Sequence, residues 1–159
     1  MKPANLLTLA VAGSRKTQSI IDECAESPTE EKVLIITYTV ANQQELLKRL
    51  RTCAPEHNNV EVIGWFAFLI GYFIRPFLPY VFPNTRVSGF DFKSEPMQHH
   101  GSNTVSRYFN KNNEVRRPHT AQLAFKVEMA SNHEPSRRLD RMYDRIYIDE
   151  VQDLNGWDL

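Results

Sequence analysis

The run Val33-Leu34-Ile35-Ile36 is apolar at every position, where a strand with one solvated face would alternate. A strand of this kind is buried on both faces, as in a parallel sheet covered by helices. The chain around it alternates strand-length and helix-length patterns. Leu6 to Val11 reads as a short buried strand, and a glycine-containing turn leads from it into a helix over about Lys16 to Glu26. Ile20, Ile21 and Cys24 share one face of that helix. Glu26-Ser27-Pro28 breaks it. A second helix is predicted from about Asn42 to Arg51, with Leu46, Leu47 and Leu50 inward, then a strand over Val60 to Ile63. Trp65 to Ile74 reads as a strongly apolar helix ended by Arg75-Pro76, and Pro79 and Pro83 mark a change of character. Asn84 to Pro118 is polar, rich in His and Asn, and without clear period. A helix over about Thr120 to Met129 and a polar link precede the last strand, Arg145-Ile146-Tyr147-Ile148. Strands alternating with helices predict an α/β fold with a parallel, doubly wound sheet. Ligands of such sheets bind beyond the carboxyl ends of the strands.

A chain of 159 residues is enough for one buried core. Its formal net charge of zero provides no global field to recruit nucleic acid. The stretch from Arg75 to Arg138 is locally basic, through residues such as Arg86, Lys93, Arg107, Arg116 and Arg117. That stretch suits contact with phosphate and equally suits a solvated surface. Cys24 and Cys53 form no CxxC pattern and read as buried or half-buried thiols of a reducing compartment. Met1 to Ala12 lacks a cleavage-site pattern, and no apolar run approaches the ~20 residues of a membrane span. The expectation is a cytoplasmic protein with no membrane partner.

Two segments at the predicted strand ends carry chemistry. The octet Ala10-Val11-Ala12-Gly13-Ser14-Arg15-Lys16-Thr17 corresponds to the phosphate loop G-x-x-x-x-G-K-[ST]. Its Lys-Thr pair opens a helix, where free backbone N–H groups and the helix dipole favour a phosphate. Lys16 then reaches the terminal phosphates of a nucleotide and the Thr17 hydroxyl ligates Mg²⁺. Ala10 and Arg15 stand where the pattern has glycines. Arg15 is the serious departure, because glycine there allows close approach of backbone to phosphate. By itself Gly13-Ser14-Arg15-Lys16-Thr17 is as compatible with a basic helix N-terminus that binds nothing.

The second segment is Tyr147-Ile148-Asp149-Glu150-Val151-Gln152-Asp153. An apolar strand ending in Asp-Glu supplies one carboxylate for Mg²⁺, Asp149, and one general base for an attacking water, Glu150. Gln152 falls within reach of a γ-phosphate, and Asp153 is a supporting carboxylate. The alternative is an acidic helix N-terminus capped by Asp153 or Asn155.

Taken in order, these segments resemble the UvrD/Rep-like superfamily 1 DNA helicases. The family's first motif looks like A-G-x-G-S-G-K-T, which Ala10 to Thr17 follows except at Val11 and Arg15. Its next is similar to T-F-T-N-x-A-A-x-E-M-x-x-R. Thr37-Tyr38-Thr39 with Glu45, Leu46 and Arg49 keeps that spacing, while Val40, Asn42 and Gln43 depart from it. A third, T-F-H-S-F, corresponds to Gly64-Trp65-Phe66-Ala67-Phe68, and D-E-x-Q-D is matched throughout by Asp149 to Asp153. Arg75-Pro76 and Gly156-Trp157-Asp158-Leu159 are similar to a subset of these proteins.

The resemblance implies a P-loop (RecA-like) parallel sheet flanked by helices, with a small polar, partly helical insertion before the last strand. Residues 1–75 and 140–159 would form the partial ATPase lobe, and residues 76–139 the insertion. It implies ATP and Mg²⁺ as cofactors, with Gly13, Ser14, Arg15, Lys16 and Thr17 on the phosphates and Glu150 and Gln152 catalytic. Single-stranded DNA would meet Thr37 and Thr39 along its backbone and Trp65 or Phe66 at a base. It implies 3′-to-5′ translocation as the parent activity. The family's adenine-reading glutamine segment has no counterpart before Ala10, and its second RecA-like half would have to come from another chain. A single lobe is expected not to unwind DNA, because translocation needs two lobes closing on ATP. The competing expectation is a non-catalytic remnant or a DNA- or partner-binding module with a degenerate phosphate loop. An unrelated small P-loop kinase fits Asp-Glu-Val-Gln-Asp less well.

Overall fold

A computed structural model describes residues 16–96, 101 and 103–150. The expected strand Leu6 to Val11 lies outside them, as do Gly13, Ser14, Arg15, Gln152 and Asp153. The chain opens with α1 (Lys16–Glu26), β1 (Val33–Thr37), α2 (Val40–Cys53) and β2 (Val60–Gly64). β5 (Arg145–Ile148) completes a three-stranded sheet in the order β2-β1-β5. All pairs are parallel, with Val33 opposite Val60 and Arg145, and Ile36 opposite Ile63 and Ile148.

The unbroken apolar run of β1 has its cause in this arrangement. Val33 and Ile35 pack with Ile21 and Cys24 of α1, Leu46 and Leu50 of α2, and Val62. Leu34 and Ile36 point the other way, into a cluster with Trp65, Phe68, Ile74, Leu123, Val127 and Leu139. All five residues of β1 are buried, so a truncation such as Ile35→Ala would cost about 2–5 kcal/mol. The result is an α/β layering with a small parallel sheet between helices.

The apolar segment after β2 goes further than its sequence predicts. α3 (Trp65–Phe68) runs into a π-helical stretch, Leu69–Ile74, then α4 (Arg75–Phe77) and a 3₁₀ turn, Leu78–Tyr80. The Arg75 N–H reaches back to the Ile70 carbonyl. The widened turn carries the chain past Pro76, which has no N–H to contribute and would crowd an ordinary helical turn.

The stretch without period contains two short strands, β3 (Gly89–Asp91) and β4 (Glu114–Arg116), paired parallel, and a single turn of helix, α5 (Val105–Tyr108). Tyr108, Phe109 and Val115 are fully buried in the cluster that holds Leu34 and Trp65. α6 (Thr120–Ala130) matches its prediction closely. The expected polar link after it is instead a helix, α7 (Glu134–Met142). Only Pro135 and Leu139 of α7 are buried, too few for a periodic signal. Its local signals are Pro135 in the first turn, Glu134 at the N-terminus and Arg141 in the last turn. Cys24 is buried as expected, whereas Cys53 is exposed at the end of α2. No helix among the described residues is long and apolar enough to cross a membrane.

Candidate functional site

β1 and β5 end side by side. Their register carries Ile36 opposite Ile148, and the Asp149 N–H donates to the Ile36 carbonyl at 2.8 Å. Thr37 and Asp149 therefore stand at the carboxyl edge of the sheet, the end where α/β folds bind ligands. Tyr147 packs against the α1–α2 side of the sheet, and alternation puts Asp149 on that side too.

There Asp149 meets α1. The Thr17 hydroxyl donates to Asp149 Oδ2 at 3.0 Å, across 132 residues of sequence. Asp149 is 5% exposed, and its Oδ1 accepts from the Glu150 N–H at 3.1 Å. Lys16 and Thr17 form the first turn of α1, whose N–H groups lack helical acceptors and suit an anion. Glu150 is half-buried and holds φ at 60°, a left-handed conformation that costs a non-glycine residue about 1–3 kcal/mol. Strain of this kind concentrates where a side chain must be aimed.

The strand below is tied to the helix. The Tyr147 hydroxyl donates to Glu23 Oε2 at 2.9 Å. Burial, with Glu23 alongside, pushes the Tyr147 phenol above its ordinary range, and Arg145 opposes the shift. Arg145 pairs with Glu31 at 2.9 Å.

The fit to a metal is one of donor chemistry. No group of three or more His, Cys, Asp or Glu side chains is gathered among the described residues, which leaves no all-protein cage there. Thr17 and Asp149 offer hard oxygen donors on opposing elements, the partial shell Mg²⁺ takes when phosphates and water complete it.

The residues expected at DNA are dispersed in role. Thr39 is exposed and caps α2, accepting from the Asn42 N–H at 3.1 Å. Thr37 is 1% exposed, and Trp65, 8% exposed, lies in the core with its ring 5.9 Å from that of Phe68. Phe66 is half-buried and belongs to an aromatic strip: Tyr38 at 5.8 Å on one side and Phe90 at 5.0 Å on the other. Phe92 continues the strip 4.3 Å from Phe90 and is 66% exposed. The Arg117 guanidinium stands 5.6 Å over the Phe66 ring. Phe90, Phe92 and Arg117 come from the stretch without period, and no spacing in the sequence links them to Phe66. The only local hint is the aromatic pair Phe90 and Phe92 beside Lys93.

Compared with models of known protein families, with curated proteins and with solved structures, the chain finds no match.

Proposed function

We propose that this chain is the N-terminal ATP-binding lobe, with a P-loop (RecA-like) fold, of a UvrD/Rep-like DNA helicase, in which coupling ATP hydrolysis to movement on single-stranded DNA requires the second lobe as well. The observation that carries the reading is the Thr17–Asp149 hydrogen bond of 3.0 Å. It joins the Lys-Thr pair to the acidic motif, the two segments that phosphate and Mg²⁺ binding require together. Lys16 neutralises the terminal phosphates. The Thr17 hydroxyl and the Asp149 carboxylate would hold Mg²⁺, which would supply charge stabilisation to the reacting phosphates. Glu150 takes a proton from the attacking water as its oxygen bonds to the γ-phosphorus and the bond to the β,γ-bridging oxygen breaks. ADP and phosphate leave. Gln152 orients that water or the γ-phosphate, a role it takes from the resemblance. For the nucleic acid, Phe92 at the exposed end of the strip Tyr38–Phe66–Phe90–Phe92 offers a ring and Arg117 a cation, the combination that binds single strands without reading sequence.

Arg15 favours a second reading, a lobe whose phosphate loop no longer accepts nucleotide, left as a DNA- or partner-binding module. Calorimetry with Mg²⁺–ATP separates the two. Under the first reading the parent chain binds, Lys16→Ala abolishes binding, and Glu150→Gln binds normally while any phosphate release falls ~10²–10⁴-fold. Binding absent from the parent and gained in Arg15→Gly would establish the second.

A further inference from the structure

Thr37 closes β1 with a side chain sealed from solvent, and its hydroxyl meets no hydrogen-bond partner among the described residues. An unpaired buried hydroxyl costs about 1–3 kcal/mol, and such groups in folded proteins call for a specific explanation. Its direction follows from the strand. Val33 and Ile35 face α1 and α2, and alternation turns Thr37 to the same side. Asp149 faces that side as well, where Thr17 reaches it. With Ile36 in register with Ile148, Thr37 and Asp149 come next on adjoining strands, which lie about 4.8 Å apart. The register thus puts the unpaired hydroxyl on the same side and at the same edge of the sheet as the Thr17–Asp149 pair and the start of α1.

We propose that Thr37 is a positioning residue of the nucleotide site: its hydroxyl and the Asp149 carboxylate together hold a water of the divalent cation's hydration shell. The inference rests on the nucleotide reading above and gives Thr37 a role different from the DNA-backbone contact implied by resemblance. Threonine suits the task because its hydroxyl oxygen accepts a hydrogen bond from a metal-bound water.

The test uses the full chain and two variants, Thr37→Val and Thr37→Ser. Calorimetry measures Mg²⁺–ATP binding and, in EDTA, ATP binding without metal; melting is followed without ligand. Valine keeps nearly the same shape and removes the unpaired group, so Thr37→Val should melt no lower than the parent. It should bind Mg²⁺–ATP about tenfold more weakly, the effect of one hydrogen bond beside a charge. ATP without metal should bind both alike, and Thr37→Ser should restore the Mg²⁺-dependent affinity. Parent-like Mg²⁺–ATP affinity in Thr37→Val would overturn the role of Thr37 and leave the nucleotide site standing. So would a Thr37→Val protein that melts well below the parent, because the hydroxyl would then be structural. A parent chain that binds no Mg²⁺–ATP would overturn the nucleotide reading and this inference with it.

Discussion

Cys24 and Cys53 are the same chemical group in opposite settings. Cys24 lies on the sheet-facing side of α1, fully buried, and burial with Glu23 nearby pushes its thiol up to about 11, against a smaller opposing effect of Arg145. Cys53 is exposed. A thiol reagent at pH 8 should therefore modify one equivalent quickly, with the second protected until the chain unfolds; two fast equivalents would contradict the packing of α1. The same shift sets a pH dependence. The folded protein keeps the Cys24 proton above the ordinary value of 9.0, while the unfolded chain releases it there. The contribution of Cys24 to folding stability is therefore full below about pH 9 and is lost as pH rises toward 11. Tyr72, Tyr143 and Tyr147, all pushed above their ordinary value by burial first, extend the loss beyond pH 10. Denaturant midpoints across this range should drop, and Cys24→Ala should flatten the first part of the fall.

The joins between elements settle where the site forms. Two residues, Tyr38 and Thr39, turn the chain from β1 into α2, and Thr39 supplies the cap. Thr39→Ala should cost about 1 kcal/mol, read as a lower denaturant midpoint at unchanged slope. An unchanged midpoint would mean that packing of Leu46 and Leu50 holds α2 without its cap. On the opposite side of the sheet, Tyr143 follows α7 and donates to Glu61 of β2 at 2.6 Å, where Tyr72 of the π-helical stretch also donates at 3.0 Å. This clasp ties the edge strand to the π-helical stretch and to the end of α7. The π turn itself was hidden in the sequence, because Arg75-Pro76 is a sound stop signal for a regular helix and gives no sign of a widened turn.

Across the whole molecule the apolar surface is incompletely covered. Ile146 and Ile148 of β5 are 41% and 42% exposed, and Phe125 and Met129, one turn apart on α6, are more than half exposed. The net charge of zero supplies no general repulsion to keep copies apart. Exposed apolar patches mark association surfaces, so the chain should self-associate with rising concentration. Sedimentation velocity should show the average mass increase, and Phe125→Ser with Met129→Gln should reduce the effect. A monodisperse monomer at every concentration would count against it.

What the sequence by itself determined are the features written in neighbouring residues. Val33 to Ile36 announces burial on both faces, Lys16 to Glu26 carries a helix stripe, and Arg145 to Ile148 leads into paired carboxylates. Each is a local pattern, so the limits of α1 and β5 match their predictions. α7 escaped because charge dominates its surface and one leucine carries its packing. Only the tertiary structure decided that Thr17 touches Asp149, that Thr37 is sealed in at the same sheet edge with an unpaired hydroxyl, and that Phe90 lies against Phe66. The reason is physical: strand register and sheet order bring together groups separated by long stretches of chain, and no spacing along one strand or helix encodes which strand will be its neighbour.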